Sequence, residues 1–419
     1  MISSDAALRQ LCYKRTVTTS WETGLLYSLY EAQHMALAPL RYMAELSLGW
    51  FGHPFSPFAH LPLSRRLAAT SDLFLRVTTR YEKPNWSLEG AEIEVALEKP
   101  FCKLLHFKPA AAASRQKVLV VAPLSGHHST LVRDTVRSLL ADYDVWVTDW
   151  VDARMVPLSE GLFHLDDYVD YVREWITLLS PQLHVISVCQ PTVPVLAAVS
   201  LLASNKQILP RSMIMMGGPI DARRSPTAVN NLAQRKPFSW FEQNLIHRVP
   251  PKYPGYMRRV YPGFLQHLGF VAMNPDRHLT AHWDYFHHLM KGDGESAEGH
   301  RRFYDEYNAV LDLPAEYYLD TVKTVFKDYA LPKGRMFVRE ELVRPQAIRE
   351  TALLTVEGEF DDISGNGQTE AAHALCLNIP RERREHWRAP GVGHYGIFSG
   401  RRWREMIYPR VRDFISKNS

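Results

Sequence analysis

Along the middle of the chain, apolar residues alternate between short β-branched runs and longer stretches of helical period. Runs at 93–97 and 101–107 predict a strand pair at a sheet edge. Further runs at 117–123 (KVLVVAP), 143–150 (YDVWVTDW), 183–188 (LHVISV) and 212–216 (SMIMM) have the character of buried strands. The stretches between them, 130–140, 165–179 and 193–202, predict helices. Strand and helix trading places at this spacing predicts a parallel, doubly wound α/β sheet. The alternation stops from 221 to about 349, where the chain is rich in Tyr, Phe, Trp and His and has helical periodicity at 303–325. It returns with a strand at 352–356, a helix at 369–378, a weaker strand at 385–388 and a closing helix at 403–416. Upstream, 1–23 reads as irregular. Residues 23–50 read as an amphipathic helix or helix pair broken near Pro39, 50–58 as an aromatic loop, and 61–81 as another helix. The pattern divides the chain into an N-terminal helical region (1–90), a first core part (91–221), an aromatic helical cap (222–349) and a second core part (350–419). The N-terminal helices either pack wholly on the core or keep an apolar face for something oily.

Composition narrows the class without naming it. A chain of 419 residues with 46% hydrophobic and 22% charged residues buries a large core, as ordinary globular proteins do. Its net charge of +4 gives no ground for nucleic-acid binding. Cys12, Cys102, Cys189 and Cys376 are scattered, with neither metal spacing nor the density of a disulfide framework. Reduced thiols, no metal and no cofactor are the expectation. No secretory leader and no apolar run of roughly 18 residues is visible, so a cytoplasmic protein without a membrane span is expected.

Three loops carry candidate chemistry. At S-V-C-Q-P, residues 187–191, a predicted strand passes into a predicted helix with almost no connection. So sharp a turn lifts its central side chain out of the sheet and turns backbone N–H groups toward whatever it attacks, as in the G-x-S-x-G nucleophile elbow of α/β hydrolases. Here Cys189 holds the serine's place. Asp361 and His394 follow in the chain order acid then histidine, each just past a predicted strand, at the sheet edge where such folds collect ligands. Gly358 near the acid, and Gly393 and Gly396 around the histidine, are read as allowing tight turns. An imidazole activates a thiol and a carboxylate orients the imidazole. The N–H of Gln190 and one from Leu124 or Ser125 are the expected oxyanion donors. Asp362 rivals Asp361 as the acid. Ser187, two residues before Cys189, is a rival nucleophile placed inside the strand, and His127 and His128 suit substrate or oxyanion duties better than the base.

Longer stretches resemble the intracellular poly(3-hydroxybutyrate) depolymerases, which attack storage granules. They are LEKPFCKL (97–104), VAPLSGHH (121–128), VTDWVDARMVP (147–157), HVISVCQPTVPVLAA (184–198), MMGGPIDAR (215–223), VEGEFDDISG (356–365) and GHYGIFSGRRWR (393–404). The resemblance implies an α/β-hydrolase fold and hydrolysis of a polyester through an acyl-thioester. It places the nucleophile on Cys189, the acid on Asp361 and the histidine on His394, and the partner it implies is the polymer granule and its oligomers. Coenzyme A is a second acyl acceptor consistent with a thioester. Two alternatives remain at this point. A polyhydroxyalkanoate synthase has the same architecture but an elbow written G-x-C-x-G. A non-catalytic granule-binding protein would need no intact Cys, Asp and His.

Overall fold

The apolar runs assemble into one eight-stranded sheet in a computed structural model that describes residues 26–53, 55–57, 61–108 and 116–419. The irregular stretch expected at 1–23, with Cys12, lies outside the described residues. The strands are β1 Glu92–Lys99, β2 Cys102–Lys108, β3 Lys117–Val121, β4 Asp144–Trp150, β5 Leu183–Val188, β6 Ser212–Met216, β7 Ala352–Gly358 and β8 Arg384–Ala389. Across the sheet they run β1-β2-β4-β3-β5-β6-β7-β8. β2 pairs antiparallel with both β1 and β4, and every pairing from β4 to β8 is parallel. This is the α/β-hydrolase sheet.

Burial explains the spelling of the strands. β5, β6 and β7 are buried at every position, which is why they read as unbroken apolar runs. β1 lies at the edge and buries none of its residues fully. Helix Leu165–Leu179 buries one stripe, whereas helix Thr192–Ser204 is buried on nearly all sides, as its uniformly apolar sequence requires. β3 has β4 on one side and β5 on the other. The chain therefore reverses its direction across the sheet at β3/β5, and the loops leaving those two strands open the crevice where α/β sheets bind ligands.

Two expected helices are shorter than their periodicity suggests. The periodic stretch at 303–325 is interrupted: helix Gly294–Tyr307 ends, an extended segment follows, and a helix restarts at Ala315–Thr321. Asp312 enforces the break. Its carboxylate accepts from Tyr27 Oη and from the N–H of Gly263, both at 2.8 Å. The helix expected at 369–378 contracts to Ala372–Leu375, because the N–H groups of Gly367, Thr369 and Glu370 are drawn to the buried Glu357 carboxylate at 2.8–2.9 Å.

The segment between β6 and β7 contributes helices Ala228–Arg235, Phe238–Leu245, Gly263–Met273 and Pro275–Lys291, as well as those either side of Asp312. The N-terminal helices, 26–36, Ala38–Phe51 and Pro62–Thr78, dock on this segment. Tyr30 stacks on Phe264 at 4.2 Å, Glu31 pairs with Arg80 at 2.9 Å, and Arg76 bonds Asp305 at 3.0 Å. Among the described residues no helix is long and apolar enough to cross a membrane.

Candidate active site

The strand-to-helix joint after β5 puts Cys189 in the left-handed region, φ 68°, where a side chain other than glycine's is strained. Its N–H donates to the Met216 carbonyl at 2.7 Å, which ties the joint to the end of β6. The sulfur is half-buried, and of the three described cysteines it alone retains exposure; Cys102 and Cys376 are fully buried. Burial pushes the Cys102 thiol far up and the Cys376 thiol up to about 12. Ser187 sits in the strand, with no exposure, and its hydroxyl donates to the Ile214 carbonyl at 3.3 Å.

His394 and Asp361 arrive from the loops after β8 and β7. The His394 Nδ1–H donates to Asp361 Oδ2 at 2.8 Å. The other carboxylate oxygen, Oδ1, accepts from the N–H groups of Ile363 and Ser364 at 2.9 and 2.8 Å. Asp361 is thus held by its own turn and offers one oxygen to the imidazole. Asp362 faces away and accepts from Asn274 Nδ2 at 2.7 Å. Cys189 lies near enough to the imidazole to act on its protonation. Burial disfavours the His394 imidazolium, but Asp361 and Cys189 outweigh it and raise the pKa well above the ordinary histidine value. Three residues far apart in sequence therefore form one chain: sulfur, imidazole, carboxylate.

Sequence reasoning missed what lets these loops meet. A Cβ on Gly218 would lie 1.9 Å from Thr192 Oγ1 and 2.5 Å from the Cys189 carbonyl, so the elbow closes only over glycine. Gly217, at φ 57°, passes beneath the acid–histidine pair: a Cβ there would stand 3.2 Å from Asp361 Oδ2. Thr369 clamps the same point, giving its hydroxyl to the Gly218 carbonyl at 3.0 Å and accepting the Gly218 N–H at 2.8 Å. A doubled glycine at the end of a buried strand was the available signal. The role read for Gly358 changes. It does not supply a left-handed turn; a side chain there would press the Val392 carbonyl at 2.6 Å, so it is small because the acid and histidine loops touch. The left-handed glycine of the histidine loop is Gly391, φ 68°, and neither Gly393 nor Gly396.

The N–H groups of Gln190, Leu124 and Ser125 donate to no acceptor among the described residues. Leu124 is oriented through its carbonyl, which accepts from Tyr317 Oη at 3.0 Å. His127 is buried, bonds the Tyr307 carbonyl through Nε2 at 3.1 Å and packs on Phe270. Burial and then His267 drop its pKa to about 4. His128 is buried too, with its pKa lowered to about 3 by burial and then Lys83. Tyr395, next to His394, joins Phe303 and Tyr307 in an aromatic wall, and a narrow cleft between it and Phe270, Met273 and Arg277 reaches Asp362 and Ile363. A larger cleft of about 430 Å³, lined by Tyr30, Arg76, Arg80 and Phe264, lies between the N-terminal helices and the cap and contains none of Cys189, Asp361 and His394. No cluster of metal-ligating side chains occurs among the described residues.

Sheet order and elbow define the class: an α/β hydrolase. Residues 217–419 match a family model described as PHB de-polymerase C-terminus, and the chain is a carboxylic ester hydrolase similar over that stretch to the PHB depolymerases. No curated protein matches. Similar solved structures include a lipase from Acinetobacter baumannii AYE (11% identity, TM-score 0.43, covering 84% of this chain and 97% of that one). An esterase from Thermogutta terrifontis is 12% identical, TM-score 0.42, over 78% of this chain and 98% of its own. One from Pyrobaculum calidifontis is 11% identical, TM-score 0.40, over 91% and 95%.

Proposed function

We propose that the chain hydrolyses the ester bonds of poly(3-hydroxybutyrate) through Cys189, His394 and Asp361, on storage granules in the cytoplasm. The observation that carries this reading is the His394 ring, bonded to Asp361 at 2.8 Å, beside a Cys189 held in the left-handed turn after β5. The thiol proton passes to His394 and the sulfur attacks an ester carbonyl of the polymer. The N–H groups of Gln190 and of Leu124 or Ser125 receive the oxyanion. As the carbonyl re-forms, the C–O bond breaks and the imidazolium protonates the departing alkoxide, releasing a shortened chain with a free hydroxyl. Water, deprotonated by the same imidazole, then adds to the thioester. Collapse frees a carboxylic acid and returns the proton to sulfur. Asp361 keeps the ring in one tautomer throughout.

Acid release from amorphous polymer granules tests this with Cys189→Ala and Cys189→Ser. Alanine abolishes release and serine retains a trace, since its hydroxyl is poorly matched to this base. Full activity in Cys189→Ala would refute the reading.

A further inference from the structure

Helix Ala38–Phe51 buries only Ala44, although most of its residues are apolar. At about 100° per residue, Ala38, Pro39, Tyr42, Met43, Leu46, Gly49 and Trp50 fill a continuous arc facing away from Ala44 and Leu48. Every residue of the arc is exposed and none is charged; Met43 stands 62% and Trp50 67% free. Surface helices of globular proteins put their charges on that side. Here Arg41 sits toward the packed face, and the exposed Glu45 borders the arc beside Ala38. The arrangement is that of a helix lying on an apolar phase.

Packing connects this helix to the candidate site. Helix Ala38–Phe51 packs on helix Pro62–Thr78, which packs in turn on cap helix Pro275–Lys291. The second joint is bolted by polar bonds: Tyr285 donates to Asp72 and accepts from Arg76 at 3.2 Å. The cap helix carries its own exposed pair one turn apart, Leu279 at 69% and Trp283 at 63%. Its first turn supplies Arg277 to the cleft beside Asp362 and Tyr395. One packed run of helices thus links the helix bearing the uncharged face to the wall of the site.

We infer that the outer face of helix Ala38–Phe51, extended by Leu279 and Trp283, is the surface by which the enzyme lies on bulk polyester. The inference rests on the polyester-hydrolase reading. A polyester presents methyl groups and ester carbonyls, which are acceptors without donors and without charge. The polar handles on the face are donors, the Tyr42 hydroxyl and the Trp50 and Trp283 N–H groups, on otherwise apolar bodies. An uncharged face on an uncharged polymer holds at high salt, whereas attachment to anionic lipid weakens as salt rises.

The test compares wild type with Met43→Gln/Leu46→Gln/Trp50→Gln and, separately, with Leu279→Gln/Trp283→Gln. Binding to amorphous poly(3-hydroxybutyrate) particles and to phosphatidylglycerol vesicles is measured at low and high salt, beside turnover of a soluble short-chain ester and the sedimentation mass of each protein. Wild type is expected on the particles at both salt levels. The triple variant is expected to lose about tenfold or more in particle affinity with soluble-ester turnover unchanged, and the double variant to lose less. Equal particle binding by the triple variant overturns the inference. So does parallel loss of soluble-ester turnover, which would make the face part of the fold. Adsorption to vesicles but not particles assigns it to lipid, and a wild-type dimer that the variant abolishes without changing particle binding assigns it to a second copy; both overturn it. Wild type that turns over the soluble ester but neither binds nor cleaves polymer would instead sink the polyester reading. Equal cleavage of polymer by all three proteins would leave that reading standing and remove only the face.

Discussion

Asp361 was the preferred acid in the sequence with Asp362 its rival, and a few ångströms separate their fates. Asp361 Oδ2 meets His394 Nδ1 at 2.8 Å, while Asp362 is spent on Asn274. Asp361→Asn is therefore expected to lower kcat by on the order of a thousandfold or more, because the amide no longer selects the tautomer that leaves a basic nitrogen toward sulfur. Asp362→Asn is expected to stay near wild type in kcat on a soluble ester. Steady-state kinetics on the two variants check this, and equal losses would contradict it. The chain order of Cys189, Asp361 and His394 was legible because the residues that do chemistry are spelled beside strand ends. Gly217 and Gly218 were not legible as parts of the site. What makes them necessary is the nearness of Thr192, the Cys189 carbonyl and Asp361, which only the assembled sheet creates.

At the scale of elements, the loop bearing Asp361 is built on a second, buried carboxylate. Glu357, the penultimate residue of β7, takes three backbone N–H groups from Gly367, Thr369 and Glu370, and Thr369 goes on to clamp Gly218 under the elbow. Glu357→Gln keeps the size but loses charge-assisted bonds and turns a donor toward donors, at an expected cost of about 2 kcal/mol or more. The expected outcome is a lower Tm together with a fall in kcat that is smaller than that of Asp361→Asn. Thermal melts and soluble-ester kinetics read both, and an unchanged Tm would contradict the role given to this carboxylate. The same carboxylate explains why a helix expected at 369–378 survives only as Ala372–Leu375. Periodicity registers which side chains are apolar, but a buried acceptor upstream decides where the backbone N–H groups go. Asp312 overrides helical periodicity within 303–325 in the same way, because its partners Tyr27 and Gly263 are remote in sequence. The strands of the sheet, by contrast, fell close to their expected positions, since burial on both faces leaves a run of apolar residues as its direct record.

Across the whole molecule, buried and half-buried histidines shape the response to acid. Burial, as the leading cause, lowers the pKa of His127, His184 and His373 to about 4 and of His128 and His300 to about 3. Each folded-state value lies below the unfolded value of about 6.5, so the unfolded chain binds protons more tightly. The stability tied to their neutral form is complete above that pH and is lost as pH falls from about 6.5 toward 4. His394 has the opposite shift. Its contribution is complete below about 6.5 and fades as pH rises from there through its raised value, so it does not mask the acid loss. Urea midpoints are expected to fall steadily as pH drops below about 6.5; a level midpoint from there down to pH 4.5 would contradict this.

The central claim is that a thioester forms on one sulfur. Quenching the enzyme in acid during turnover of a short 3-hydroxybutyrate oligomer, digesting it and locating the acyl group by mass spectrometry tests this most directly. The account requires a 3-hydroxybutyryl group on the peptide holding Cys189, released by hydroxylamine and absent from Cys189→Ala. An acyl group on Ser187 or Ser125 instead, or undiminished turnover in Cys189→Ala with no adduct anywhere, would contradict it.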